Sequence, residues 1–188
     1  MTPTRFLWIA ACFLTFAVTS HSARRRTSSY DAGVDANAIL NLHNYLRKTV
    51  SARNMRTLRW SNDAARVAQR WADTCPSGHD RNSARGIPGF SSCGQNISWR
   101  PRGDTSWKKA IMQWYDEVKD FRYCRRPTGV VGHYTQLMWA DTSVVGCAIK
   151  TGCNTLGPNT VVFVCNYCDA GNIMMSGNPN SQYCPWRQ

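Results

Sequence analysis

The cysteines restrict the fold of this chain more than any other feature. The sequence has nine cysteines, and all but Cys12 lie between residues 75 and 184. An even set in an exported chain indicates disulfides between distant segments. A zinc cluster built on the C-x-x-C pair of Cys165 and Cys168 is the alternative, but no second C-x-x-C pair is present, and an oxidising compartment favours disulfides. Spacing alone does not choose the pairing. The cysteines in question are Cys75, Cys93, Cys124, Cys147, Cys153, Cys165, Cys168 and Cys184.

Residues 1–20 are predicted to be a signal peptide. Arg5 precedes a short apolar run that ends at Val18, and small residues follow, as in secretory signals. Cleavage is expected after Ser20, or alternatively after Ser22, and it removes Cys12. The run is shorter than the about 20 apolar residues that a membrane span needs. The sequence therefore predicts a secreted, extracellular protein without a transmembrane segment.

The remaining chain is basic. Residues 21–35 are polar and basic and predict a flexible N-terminal arm, in which Arg24–Arg26 is either a processing site or a solvated cluster. Without Arg5 and Arg24–Arg26, 19 of the 23 Lys and Arg residues face 11 Asp and Glu residues, a net charge of +8. Such a surface favours acidic glycans or anionic lipid headgroups, and nucleic acid is not an expected partner outside the cell. A basic surface without a dedicated partner is the alternative.

The hydrophobic pattern predicts helices first and strands later. Helical periodicity is present in residues 36–50, 62–74 and 105–121. β-Branched segments at 144–152 and 160–168, joined by a Gly/Asn/Pro turn, predict an antiparallel hairpin, and 93–99 predicts a further strand. This order without β-α-β alternation indicates an α+β fold. His43 lies on the apolar stripe of the first helix and is interpreted as a core histidine.

Several stretches make the chain resemble the CAP superfamily of cysteine-rich secretory proteins, antigen 5 and pathogenesis-related 1 proteins. GHYTQLMWADTS at 132–143 and VFVCNYCDAGNI at 162–173 are similar to its two signatures, apart from Asp169 in the second. HNYLR at 43–47, CGQNIS at 93–98 and WYDEVKDF at 114–121 fall in the expected order. The resemblance covers residues 36–173. It implies a disulfide-stapled, three-layer α-β-α sandwich with a central antiparallel sheet.

The family's cysteine pairing is also implied by the resemblance. It joins Cys75 to Cys153, Cys93 to Cys168 and Cys147 to Cys165, and it leaves Cys124 to pair with Cys184. The last bridge would tie down a short tail, residues 174–188. A C-terminal cysteine-rich domain, present in the cysteine-rich secretory branch, is expected to be absent.

The resemblance further implies a central cleft lined by His79, Gln95, Glu117 and His133. The family has a second acidic residue where this chain has Gln95. Glu117 is the only glutamate in the sequence and lies beside apolar helix positions, so it is expected to be half-buried with a partner. His79 and His133, with Glu117, form a candidate site for zinc or another divalent metal. A polar network that needs no cofactor is the alternative.

Catalysis is not expected from these residues. Gln95 removes a carboxylate pair, and no H-E-x-x-H or G-x-S-x-G motif is present. Asn96 begins a glycosylation sequon and is expected to carry a glycan in a secreted protein. If Asn96 is buried in its predicted strand, the glycan would be excluded. The sequence predicts an extracellular binding or signalling module with an unknown protein, acidic glycan, lipid or sterol partner. The alternatives are a sterol or lipid carrier, a peptidase inhibitor and a metal-dependent hydrolase.

Overall fold

The computed structural model describes residues 34–188. The predicted signal peptide and nearly all of the predicted arm lie outside the described residues. The arm's last residue, Asp35, caps the first helix, because its carboxylate accepts a hydrogen bond from the Ala38 N–H at 2.9 Å. The helices are α1 (Ala36–Arg47), α2 (Asn62–Ala72), α3 (Trp107–Tyr115) and α4 (Gly132–Leu137).

Local sequence explains where two of these helices begin. Ser61 and Ser106 cap α2 and α3, each accepting a hydrogen bond from a backbone N–H three residues later. Predicted as one helix over 105–121, the third segment instead ends its α-helical part at Tyr115 and continues as a 3₁₀ helix, Asp116–Asp120. This tighter turn carries Glu117. Two further 3₁₀ turns are Asn82–Arg85 and Ser181–Tyr183.

The sheet has four strands in the order β1-β3-β4-β2. They are β1 (Arg59–Trp60), β2 (Cys93–Arg100), β3 (Val144–Cys153) and β4 (Thr160–Cys168). The predicted hairpin is confirmed: β3 and β4 pair antiparallel, and β2 pairs antiparallel with the other side of β4. The two-residue β1 was not predicted, and it pairs parallel with β3 at the edge.

Alternate residues of the strands enter two different cores, which makes the three-layer sandwich. On one face, Cys147, Phe163 and Tyr167 pack with α1, α3 and α4. On the other face, Ala148 and Val164 pack with α2. A Cβ on Gly146 would lie 2.2 Å from the backbone nitrogen of Ala65, so only glycine lets α2 approach β3 this closely.

Four disulfides hold the layers and the tail. They join Cys75 to Cys153, Cys93 to Cys168, Cys124 to Cys184 and Cys147 to Cys165, the same pairs that the resemblance implies. Two of the bridges connect directly paired residues of neighbouring strands. The bridges across long chain segments restrict the unfolded chain most, so they are expected to stabilise the fold strongly.

A buried arginine fixes the position of α4. Arg47 is 1% exposed and donates hydrogen bonds only to backbone carbonyls. Burial lowers its pKa to about 10. The acceptors are the carbonyls of Arg56, Leu137, Trp139, Ala140 and Thr142. Because four of these lie at or just beyond the end of α4, Arg47 anchors the helix that carries His133. None of the helices in residues 34–188 is both long and apolar enough to cross a bilayer.

Candidate functional site

Four different elements bring the predicted cleft residues together. His79 lies in the loop after α2, Gln95 on β2, Glu117 in the 3₁₀ turn after α3, and His133 in the first turn of α4. The ring centroids of His79 and His133 are 6.5 Å apart. The cleft therefore has two halves, each consisting of one imidazole and one side chain that supports it.

Glu117 supports the first half with both of its oxygens. Oε1 accepts a hydrogen bond from Nδ1 of His133 at 2.6 Å. Oε2 accepts from the backbone N–H of His133 at 2.9 Å and of Tyr134 at 3.0 Å. These backbone groups begin α4, whose N-cap residue, Val131, supplies no side-chain bond. Glu117 thus caps α4 from a distance and orients the imidazole at the same time.

Gln95 supports the second half with a neutral amide. Its Oε1 accepts from Nδ1 of His79 at 2.9 Å and from the backbone N–H of Asp80 at 3.4 Å. These donors fix the orientation of the amide, whose Nε2 donates to Oδ1 of Asn166 at 3.0 Å. Asn166 is fully buried, and within the described chain its Nδ2 has no hydrogen-bond partner. The second half therefore leaves one buried donor unsatisfied.

The pKa of His79 is lowered, although one side of the residue faces solvent. Partial burial is the main cause; the hydrogen bond to Gln95 opposes it, and the nearby positive charge of Arg85 adds to it. Arg85 forms a buried ion pair with Asp80 and also donates to its backbone carbonyl at 2.7 Å. This pair fixes the loop that carries His79. The imidazole of His79 is consequently neutral at physiological pH.

A third imidazole lies behind the cleft in the core. Nδ1 of His43 donates to the carbonyl of Ile39 at 2.8 Å, so its Nε2 accepts from the Tyr167 hydroxyl at 2.9 Å. Nδ2 of Asn96 donates to that hydroxyl at 3.4 Å and to the carbonyl of His133 at 3.0 Å. Burial lowers the pKa of His43 to about 4 and raises that of Tyr167. This arrangement matches the interpretation of His43 as a core histidine.

Glycosylation at Asn96 does not fit the folded domain. Asn96 is 1% exposed, and its side-chain nitrogen, the atom that would carry a glycan, donates to the two acceptors just described. Ser98 of the sequon is also 1% exposed and donates to Gln113 at 2.8 Å. The expectation of a glycan here is therefore corrected, because strand β2 places the sequon inside the sheet.

The donor set fits a metal only in part. Both Nδ1 atoms of the cleft imidazoles are held by acceptors, which leaves Nε2 of His79 and His133 as the nitrogens available to a metal. Both oxygens of Glu117 are committed to His133 and Tyr134. Within residues 34–188, no group of three or more His, Cys, Asp or Glu side chains is placed to hold a metal ion. A divalent ion would thus find two protein ligands, with Glu117 and Gln95 behind them.

Two cavities flank the cleft. One, of about 690 Å³, is lined by Glu117 and by charged residues of α3 and the following 3₁₀ turn, together with the exposed Val130. The other, of about 500 Å³, lies beside His79 and is partly apolar, with Val67, Trp71 and Ala84 in its walls. The cleft therefore continues into a charged space on one side and a more apolar space on the other.

Sequence reasoning did not find Asn96, Asn166 and Tyr167 as parts of this network. A signal was present, because Asn96 and Asn166 are polar residues inside strands that are otherwise buried and mostly apolar. The register pairs Asn166 directly with Gln95 and Tyr167 with Gly94. Only that register shows that these side chains meet at the back of the cleft.

A family comparison identifies the domain. The family model described as "CAP: Cysteine-rich secretory protein family" matches residues 40–167. The chain belongs to this family. Human "Cysteine-rich secretory protein 2" is 41% identical over 155 residues, which cover 80% of this chain and 60% of that protein. This CAP chain thus spans about three fifths of the length of that curated relative.

Solved structures share the fold. "Schistosoma mansoni venom allergen-like protein 4" has a TM-score of 0.65 and 25% identity, with 80% of this chain and 92% of that chain covered. "NaASP2 with Zn2+" has a TM-score of 0.63 and 22% identity, with 84% of this chain and 90% of that chain covered. The second likeness concerns the fold alone. Together with the three observed layers, these structures establish an α+β CAP sandwich.

Proposed function

We propose that this CAP protein is secreted and acts outside the cell as a binding or signalling module, with the cleft between His79 and His133 as its recognition site. Four disulfides support this location, because such bonds persist in oxidising compartments. The match to cysteine-rich secretory proteins supports it independently. The proposal covers the described domain and its cleft.

The hydrogen bonding of Glu117 is the observation that favours binding over catalysis. A general base needs a lone pair directed at the proton that it removes. Both oxygens of Glu117 instead accept hydrogen bonds from its own chain, at 2.6, 2.9 and 3.0 Å. Gln95 cannot replace it, because an amide does not take up a proton at physiological pH. The cleft thus has oriented imidazoles but no free carboxylate beside them.

A divalent ion such as zinc is the proposed ligand or co-ligand of the cleft. Nε2 of His79 and of His133 would hold it, while Glu117 and Gln95 keep both rings in the tautomer that exposes this nitrogen. When bound, such an ion would offer its remaining coordination positions to a partner. Two imidazoles without a third protein ligand predict binding of moderate strength.

A lipid or sterol carrier is the second candidate. It is favoured by the cavity of about 500 Å³ beside His79, in which Val67, Trp71 and Ala84 provide apolar walls. Native mass spectrometry of the secreted protein tests this candidate. A co-purified lipid that is lost on replacing Trp71 by serine would support it, and a ligand-free spectrum after incubation with sterol and fatty acid would argue against it.

Calorimetric titration with zinc tests the main proposal. The oxidised, secreted protein is compared with His79→Ala/His133→Ala and with Asp141→Ala, an exposed acidic residue that serves as control. We expect micromolar binding by the wild type and the control, and none by the double variant. Turnover of a broad peptide and ester panel that only the double variant loses would overturn the assignment as a binding module. Absence of heat in all three proteins would make the cleft a structural network.

A further inference from the structure

A short apolar segment lies exposed on the surface near the cleft. Ile173, Met174 and Met175 are 46%, 63% and 62% exposed, and we call them the apolar tail loop. Nearby Val130 is 70% exposed. The adjoining residue Asn172 donates to the carbonyl of Gly132 at 2.9 Å, which places the loop beside the start of α4. Consecutive large apolar side chains that face water mark an interaction surface.

The backbone of the apolar tail loop is held in place. The hydroxyl of Ser181, a residue only 4% exposed, accepts from the Met175 N–H at 2.6 Å and donates to the Ile173 carbonyl at 3.2 Å. Met175 also forms an isolated β-bridge with Asn178. The loop therefore presents its side chains on a fixed turn, so exposure of the three side chains is a property of the folded tail.

Hydrogen bonds and a disulfide connect this loop to a positively charged segment. Cys184 is bonded to Ser181 through its backbone N–H at 3.0 Å and to Cys124 through a disulfide. Cys124 in turn donates its N–H to the Tyr183 carbonyl at 2.8 Å. The neighbours of Cys124 include three exposed arginines, which we call the arginine segment: Arg122, Arg125 and Arg126.

The charge of the arginine segment is not neutralised by close partners. Among the described residues, none of its three guanidinium groups is in an ion pair, while Asp120 is the nearest acidic residue in sequence. The tail after Asp169 contains no acidic residue. Exposed apolar side chains connected to arginines without ion pairs are complementary to a surface with anionic groups at its boundary and an apolar layer beneath them.

We infer that the apolar tail loop and the arginine segment form a docking surface for anionic phospholipid membranes. Ile173, Met174 and Met175 would enter the boundary between headgroups and acyl chains, where apolar side chains are removed from water. The arginines would bind the headgroup phosphates, which guanidinium groups recognise in bidentate fashion. An acidic glycan offers the same negative charge but no apolar layer, so it would leave the exposed loop without a role.

Co-sedimentation with vesicles tests this surface. The secreted protein is mixed, at physiological salt, with phosphatidylcholine vesicles that either lack or contain phosphatidylserine. We expect sedimentation only with the anionic vesicles. Ile173→Ser/Met174→Ser/Met175→Ser should weaken partitioning at least tenfold without any change in charge. Arg122→Gln/Arg125→Gln/Arg126→Gln should weaken it to a similar or greater extent, since each arginine near an anionic membrane surface adds its own attraction to the headgroups.

Two control variants match these changes elsewhere on the chain. Leu156→Ser replaces another exposed apolar residue, 53% exposed, in the β3–β4 turn. Arg56→Gln/Arg59→Gln/Arg102→Gln removes the same charge from exposed positions outside both the arginine segment and the cavity beside His79. Both should partition like the wild type. Urea unfolding confirms that each variant is folded.

Three results would overturn the inference. The first is failure of the wild type to sediment with anionic vesicles. The second is equal weakening by both arginine triple variants with no effect of the serine triple variant, which would show attraction to charge alone. The third is equal binding of the wild type and the serine variant to soluble heparin together with no vesicle binding, which would identify an acidic glycan. These readouts need no zinc, so they are independent of the cleft experiment.

Discussion

The two halves of the cleft hold the same ring in different ways. His133 is backed by a carboxylate that receives three hydrogen bonds, from one ring and two backbone groups. His79 is backed by an amide that receives two and must donate one. In the first half both oxygens of the supporting carboxylate accept hydrogen bonds, whereas the second half is built on a neutral amide and leaves Nδ2 of Asn166 without a described partner.

This difference shows how an amide in place of a carboxylate at position 95 determines the hydrogen bonding of its neighbours. Because Oε1 of Gln95 accepts from His79 and Asp80, its amide NH₂ group faces Asn166. Asn166 must therefore accept that hydrogen bond through its side-chain oxygen. A buried donor without a partner costs about 1–3 kcal/mol. A carboxylate at position 95 would accept from all three neighbours once the Asn166 amide turned over. Position 95 makes three hydrogen bonds in either case. The amide therefore lacks the charge, and it leaves a buried donor rather than a buried acceptor of Asn166 without a partner.

Truncating the two supporting side chains, Glu117 and Gln95, should reveal the largest difference in stability between the two halves. Glu117→Ala removes a charge-assisted bond and leaves the N–H groups of His133 and Tyr134 without their acceptor, so we expect a loss of about 4 kcal/mol in the free energy of unfolding. Gln95→Ala should cost about 2 kcal/mol, because part of its network is already unsatisfied. Urea denaturation measures both values.

Glu117→Gln is the matched control for the first variant. Its carbonyl oxygen still accepts from the backbone, so we expect it to lose less stability than Glu117→Ala. Equal losses for Glu117→Ala and Gln95→Ala would show that the two halves contribute alike to stability and would contradict the proposed difference between them.

Acid should destabilise the protein mainly through the core imidazole rather than through the cleft. The pKa of His43 is about 4 in the folded state and 6.5 as the ordinary value. The unfolded chain therefore binds a proton at His43 more readily than the folded chain does. The contribution of neutral His43 to the free energy of unfolding is complete above pH 6.5, and it is lost as the pH falls through about 4. The expected loss from His43 is about 3 kcal/mol. Urea unfolding measured across this pH range reports the slope.

His79 should add a smaller loss of the same sign, because its pKa is lowered as well. His43→Gln should reduce the fall of the unfolding free energy at acid pH more than His79→Ala does. A steeper contribution from His79 than from His43 would mean that the cleft is more thoroughly desolvated than the core.

Giving both halves a carboxylate should have the smallest effect and the most specific one. Gln95→Glu is expected to raise the pKa of His79 and to strengthen zinc binding roughly tenfold, as changes in groups that support metal ligands do. Calorimetry measures the affinity, and NMR titration of the His79 ring measures the pKa. Asn41→Asp adds the same charge at an exposed position of α1 and should leave both quantities nearly unchanged. Equal effects of the two variants would show that the stronger zinc binding and the raised pKa of His79 come from the added negative charge alone, not from its position behind His79.

The parts of the fold that local sequence determines were predictable. The hairpin follows from β-branched strands around a Gly/Asn/Pro turn, and serine caps begin α2 and α3. The short α4 was not predicted, because its six residues carry no apolar stripe and its cap, Glu117, comes from another element. The edge strand β1 has only two residues, and its partner strand follows much later in the chain.

The candidate site was likewise predictable only in part. The position of Glu117 beside apolar helix residues predicted a half-buried carboxylate with a partner. Only the family resemblance placed it in one cleft with His79, Gln95 and His133, since no periodicity links four separate elements. The orphan amide of Asn166 depends on the β2–β4 register and on the orientation of one glutamine, neither of which a linear sequence contains. Burial of the Asn96 sequon likewise needed the position of β2 inside the sheet.

The carbonyls gathered around Arg47 bear on how quickly a partner can bind. Displacing the end of α4 would strip a buried cation of acceptors, and no carboxylate in its hydrogen-bond set could compensate for them. His133 is therefore held in place by the fold itself, before any partner of the proposed kind could bind. Association then requires no rearrangement of this side of the cleft, so its rate should be set by diffusion and orientation rather than by a conformational gate.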